Sequence, residues 1–195
     1  MKLPLAASLV SFVALACGGA EDGDPAPGED DAPPPAEVAR VSDESAADSA
    51  RADVVDVRGV GIGAVIVTAE GEGVALRGAL IGLPPGEHGF HIHQTGSCEP
   101  PGFESAGDHI GAGKTEHGFE SPGGPHVGDL RNIMVAEDST ATVDQAVGSL
   151  TLRGGAVELL DDDGSAVVIH AEPDDYATQP SGDSGDRIAC GIIEG

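Results

Sequence analysis

The stretch from His88 to Asp129 constrains this chain more than any other. It reads HGFHIH from His88 to His93, SAGDH from Ser105 to His109, EHG from Glu116 to Gly118 and PHVGDL from Pro125 to Leu130. Six of the 7 histidines lie within it, and the last, His170, closes the apolar run VVIH. Histidine is the commonest metal ligand, and clustering at this density needs a chemical reason. His91 and His93 are two apart, and in a strand positions i and i+2 share a face. Both imidazoles can then meet one ion while Phe90 and Ile92 point to the core. His109, His117, His126 and Asp129 follow in a Gly/Pro-rich loop of roughly thirty residues, a length that is usually functional or disordered. A metal at its centre supplies the order such a loop lacks. Three His and one carboxylate make a closed four-ligand set suited to zinc. Imidazole ligation by His91, His93 and the distant His170 suits copper.

The N-terminal part has a different character. Lys2 precedes an apolar run that ends at Ala16, too short to span a bilayer as a helix, so residues 1–16 are expected to be a removed signal peptide. Cys17 with Gly18-Gly19 after it resembles a bacterial lipoprotein cleavage and lipidation site, although Ala14 stands where Leu is usual. Lipid on Cys17 would anchor the chain to a membrane surface without spanning it. Residues 17–53 are acidic and rich in Pro and Ala, with no apolar period, and are expected to form a disordered tether extended by its own charge.

Residues 54–195 have the length of one domain. Short Val/Ile-rich runs cut by Gly or Pro predict strands at Val54–Val57, Ile62–Val67, Val74–Ile81, Gly89–His93, Asn132–Ala136, Thr140–Asp144, Ser149–Leu152 and Val167–His170. No helical period of useful length appears, so the fold is expected to be all-β, a sandwich or barrel. The net charge of −25 argues against nucleic acid as a partner. No P-loop, dinucleotide fingerprint or GxSxG motif is present. Cys98 and Cys190 are the two cysteines inside the domain, and export permits a disulfide.

GFHIH, the spacing His109–His117–His126–Asp129, GDL, VVIHAEPDD and GDRIACGII occur in the order found in bacterial copper-zinc superoxide dismutases, which this chain resembles from about Val54 to Ile193. The resemblance implies an eight-stranded Greek-key β-barrel of immunoglobulin-like sandwich architecture with long metal-binding loops. It implies copper held by His91, His93, His109 and His170, and zinc held by His109, His117, His126 and Asp129, so that His109 bridges the two ions. It pairs Cys98 with Cys190, a bond worth about 4–5 kcal/mol in the chain-entropy account. It makes Asp174 the carboxylate linking a copper histidine to a zinc histidine, and His88 a hydrogen-bonding group rather than a ligand. It places Arg187 beside the copper, where a cation attracts and hydrogen-bonds superoxide.

The implied reaction turns two superoxide anions and two protons into oxygen and hydrogen peroxide, in the periplasm or at the cell surface. Zinc cannot change oxidation state, so copper carries the electron, and His109 carries a proton. The alternative is a copper/zinc-binding lipoprotein that buffers metal without turnover. Residues Tyr176 to Asp186 hold no Lys or Arg, and Ala177 stands where the resemblance leads one to expect Lys. Lys114 is then the remaining candidate, besides Arg187, for drawing in the anion. Monomer and homodimer both stay open.

Overall fold

Alternation of small apolar and charged residues starts the domain. In the computed structural model, which describes residues 48–195, β1 runs Ser49–Asp56 and buries Ala50, Ala52 and Val54 while Arg51 and Asp53 face solvent. The strand begins five residues ahead of Val54, because its inward residues include alanines that look like tether composition until they pair. The expected signal peptide, the lipidation site at Cys17 and most of the expected tether lie outside the described residues.

The remaining strands are β2 Gly61–Glu70, β3 Gly73–Ile81, β4 Gly86–His88, β5 Phe90–His93, β6 Ile133–Val135, β7 Thr140–Val147, β8 Ser165–His170 and β9 Arg187–Glu194. All are antiparallel in one sheet of order β4-β6-β7-β3-β2-β1-β9-β8-β5. β4 and β5 end that order on opposite sides, yet only Gly89 separates them in sequence. One run of chain therefore leaves the β6 edge and joins the β8 edge, and the sheet nearly closes into a barrel. Counted as one interrupted strand, β4 and β5 reduce the nine strands among the described residues to the expected eight. The connections β3 to β4 and β7 to β8 join strands that are not neighbours, as in a Greek key.

Two expected boundaries change. Ser149–Leu152 is not a strand. Gly148 and the Arg153-Gly154-Gly155 run flank it, and the segment bonds to itself instead: Thr151 N–H to Val157 C=O at 3.0 Å, and Leu159 N–H to Thr151 C=O at 2.9 Å. Leu150, Leu152 and Leu159 are nonetheless buried in the core, so the apolar signal was about packing and not about pairing. Conversely, Arg187–Glu194 forms β9 between β1 and β8, although it was not among the expected strands.

The main core gathers Val54, Val65, Leu76, Phe90, Ile92, Val167 and Ile169 from the strands. A second cluster lies on the other face of β8 and β9, where Phe103 and Ala106 from the long loop pack on Ala166, Val168 and Cys190. The Cys98–Cys190 disulfide ties that loop to β9, with a Cα–Cα distance of 5.7 Å. The only helix among the described residues is the 3-10 turn Glu104–Ala106, and no helix there is long and apolar enough to cross a membrane.

Candidate metal centre

β5 sends Phe90 and Ile92 into the core, which turns His91 and His93 to the opposite face. One edge of β5 pairs with β8, placing His91 beside Val168 and His93 beside Ala166. The other edge is covered by the long loop. Ile92 N–H donates to Gly128 C=O at 2.8 Å, and Ile110 N–H donates to Ile92 C=O at 2.9 Å. Those bonds bring Asp129 opposite His91 and His109 opposite His93 as isolated bridges. The strand thus locates both halves of the site, and His170, the last residue of β8, completes it.

Two four-residue groups result, His91-His93-His109-His170 and His109-His117-His126-Asp129, each with its candidate ligand atoms within 4.8 Å of one another. All are buried, and His109 belongs to both. Asp129 Oδ1 lies 2.8 Å from His109 Nδ1, 3.0 Å from His117 Nδ1 and 3.3 Å from His126 Nδ1. Its Oδ2 accepts the N–H groups of Gly118 and His126, at 2.8 and 2.9 Å. The carboxylate is therefore aimed by the loop's own backbone. With Nδ1 of His109 given to Asp129, Nε2 is left for the first group.

In the first group each of the other three rings is fixed through one nitrogen, and the opposite nitrogen is left over. His91 Nε2 bonds Asp174 Oδ2 at 2.7 Å, His93 Nδ1 bonds Gly107 C=O at 2.8 Å, and His170 Nδ1 bonds Gly185 C=O at 3.2 Å. His91 Nδ1, His93 Nε2, His170 Nε2 and His126 Nδ1 are buried with no hydrogen-bond partner among the described residues. A buried polar atom without a partner costs about 1–3 kcal/mol, and four in one place mark a site built for something else to satisfy. Imidazole nitrogens suit copper, and a three-histidine, one-carboxylate set suits zinc. The residues fit both ions.

Asp174 joins the two groups, with Oδ1 3.0 Å from His117 Nε2 and Oδ2 on His91. His88 sets its ring nitrogens against the C=O of His170 at 2.8 Å and of Pro84 at 2.9 Å, so it props the chain at His170 and does not join the cluster. Arg187 donates to Phe103 C=O at 2.7 Å and Gly107 C=O at 2.8 Å. It lines a pocket of about 540 Å³ together with His93, His109 and His170. Lys114 instead lines a neighbouring depression with Glu158, Asp161 and Asp163, away from that pocket.

The metal-free electrostatics divide the histidines. Burial lowers His109 to about 4, against the pull of Asp129, and lowers His170 to about 3, with charge on His91 adding to the effect. Burial also lowers His91 and His93. These rings are neutral at neutral pH. Burial acts to lower His117 too, but hydrogen bonds to Asp129 and Asp174 outweigh it and hold that ring at about 9. For Asp129 and Asp174 burial acts upward, and the same histidine bonds reverse it, leaving both well below the usual carboxylate range.

Sequence reasoning missed several supporting groups. Asn132 grips the backbone of Asp174 at both ends, each at 3.0 Å, and the Tyr176 hydroxyl accepts the Asn132 N–H at 2.9 Å. Gln179 bonds the backbone of His117. An amide or phenol in a loop carries no ligand signal, so only the fold could reveal them.

Comparison with known proteins agrees with this geometry. Residues 62–193 match the family described as copper/zinc superoxide dismutase (SODC). A copper-zinc superoxide dismutase of Caulobacter vibrioides is 46% identical over 149 residues, 75% of this chain and 86% of that protein. One from Aquifex aeolicus is 39% identical over 145 residues, 73% of this chain and 86% of that protein. The crystal structure of a superoxide dismutase-like protein from Bacillus subtilis superposes with a TM-score of 0.70 at 39% identity, covering 73% of this chain and 96% of that one. The chain therefore belongs to the copper/zinc superoxide dismutase family, a family of oxidoreductases with copper and zinc as cofactors.

Proposed function

We propose that this chain dismutates superoxide outside the cytoplasm, with His91, His93, His109 and His170 holding copper and His109, His117, His126 and Asp129 holding zinc. The observation that carries the reading is the set of buried ring nitrogens without partners, three of them on His91, His93 and His170, next to an open pocket containing Arg187. A metal buffer needs the nitrogens; it needs neither the pocket nor the arginine. Copper, when bound, supplies the one-electron couple, whereas zinc stays in one oxidation state.

The chain's own residues do the rest. Arg187, its guanidinium anchored on two carbonyls, presents fixed positive charge to an entering anion. His109 is held at Nδ1 by Asp129, which leaves Nε2 as the atom that can hold or release one of the two protons the reaction consumes. Asp174 fixes His91 and His117 against each other, so neither ring can turn away.

Export is supported by the disulfide, which suits an oxidising compartment, and by the leader and Cys17 read from sequence. The anchored reading predicts a diacylglyceryl adduct on Cys17 in the native protein, and mass spectrometry finding an unmodified terminus elsewhere would remove it. For the chemistry, superoxide consumption by copper- and zinc-loaded protein should fall about tenfold or more in Arg187→Ala with both metals still bound. Wild-type protein that binds both metals without turnover would favour the buffer.

A further inference from the structure

We propose that Gln179 is a positioning residue for His117, and that it couples the zinc half of the site to the wall of the pocket over the copper half; this rests on the ligand assignment above. The Gln179 carboxamide accepts the His117 N–H at Oε1 (2.8 Å) and donates from Nε2 to the His117 C=O (2.9 Å). The same Nε2 lies 3.0 Å from Ala177 C=O and 3.2 Å from Ser121 Oγ. Ser121 Oγ itself donates to the His117 C=O. His117 has four polar atoms. Its ring nitrogens go to Asp129 and Asp174, and Gln179 meets both of the backbone ones.

A primary amide is the side chain that can donate and accept from one planar end. Glu of the same length has no donor, Lys and Arg have no acceptor, and Asn falls one methylene short. The approach is made possible at Gly118, whose φ is 93° and where a Cβ would strike the Tyr176 carbonyl. The two loops thus meet backbone to backbone directly after the ligand, and Glu120 N–H donates to that same carbonyl at 2.9 Å.

On its other side the residue belongs to the pocket. Gln179, Pro180 and Ser181 line it along with Arg187 and the copper-side histidines. Fixing His117 on an ion fixes its peptide group, and the carboxamide carries that constraint to residues 179–181. This loop has no Lys or Arg, so a neutral amide makes the link.

Gln179 is exposed, so replacing it leaves the core packing alone. The test uses the full chain and compares Gln179→Met, which keeps length and loses both bonds, with Gln179→Glu, which keeps only the acceptor. Three readouts are needed: zinc affinity by chelator competition, the visible bands of cobalt(II) placed in the zinc site, and hydrogen exchange of residues 177–182 with and without zinc. Both variants should bind zinc about tenfold more weakly. The cobalt bands should shift, and the protection that zinc gives residues 177–182 in the wild type should be lost. Zinc affinities within twofold of wild type, or a lower melting temperature with unchanged cobalt bands, would overturn the positioning role. Equal exchange with and without zinc in the wild type would overturn the coupling. Wild-type protein that binds no zinc would instead defeat the ligand assignment, so the two failures are distinguishable.

Discussion

The two halves of the proposed metal centre are built by opposite means. On the copper side, His91, His93 and His170 stand on β5 and β8, and their rings are oriented by carbonyls or by Asp174, leaving the inward nitrogens without partners. On the zinc side, His109, His117 and His126 come from one loop and converge on Asp129, whose carboxylate is itself aimed by two backbone N–H groups. A sheet gives a rigid site that can tolerate unmet nitrogens, because the barrel core holds the strands in place. A loop lacks that support, so it carries its own counter-charge, and His126 Nδ1 alone of its rings is left unmet. The metal-free protein should therefore keep its copper half shaped by the barrel and its zinc half shaped by one carboxylate.

The largest test of that contrast is His109, the residue both halves share. Structural zinc binding is worth about 10–16 kcal/mol over four ligands, so losing one ligand costs about 3–4 kcal/mol, on the order of several hundredfold in affinity. His109→Ala should weaken copper and zinc alike by that order, whereas Asp129→Ala should weaken zinc and leave copper within about tenfold. Equal losses of both metals in Asp129→Ala, measured by competition titration, would erase the distinction.

The disulfide belongs to the copper half, because it ties the loop carrying Phe103 and Gly107, whose carbonyls hold Arg187, to β9. With a sequence separation of 92, its loss should cost about 4–5 kcal/mol by chain entropy. Cys98→Ser with Cys190→Ser should lower the unfolding free energy by that amount and slow turnover more than it weakens zinc. Unfolding curves that coincide with wild type would contradict this.

Titration should separate the halves by sign. His109 at about 4 and His170 at about 3 sit below the ordinary 6.5, so the fold gains from them above about pH 6.5 and loses that gain as pH falls. His117 at about 9 works the other way: its contribution is complete below 6.5 and is lost as pH rises through 9. Urea unfolding of metal-free protein should show maximum stability near neutrality. The decline toward pH 4.5 should be on the order of 1–3 kcal/mol, with a smaller one toward pH 9. A profile that keeps rising on acidification would mean that the copper-side rings are not held neutral.

The smallest effect concerns Lys114. It lines a depression beside the zinc loop and not the copper-side pocket, and among the described residues Arg187 is the one cation lining that pocket. Lys114→Glu should slow superoxide consumption less than about twofold at low salt, with the change fading near physiological ionic strength. A larger change that ignores salt would assign Lys114 a structural role in the loop.

Much of this site was legible before any coordinates. His91 and His93 at strand spacing, the run of His109, His117, His126 and Asp129, and the apolar lead into His170 carry enough chemistry to name candidate ligands. The fold class followed from Val/Ile runs of strand length. The errors came where apolar residues meant burial without pairing, as at Leu150 and Leu152, or where alanine and glycine hid a strand, as in Ala50–Ala52 and around Gly191. Lys114 looked like a candidate for steering because sequence gives charge but not direction.

Sequence alone determined which side chains are candidate metal ligands, because ligand chemistry is a property of side-chain type and short spacing. Tertiary structure decided which nitrogen of each ring faces inward, because that depends on the bond made by the other nitrogen, to Gly107, Gly185 or Asp174, from segments far along the chain. It also decided that Asn132 and Gln179 matter. A side-chain amide acquires a role only when folding sets a backbone N–H and C=O in front of it, and no local pattern encodes that meeting.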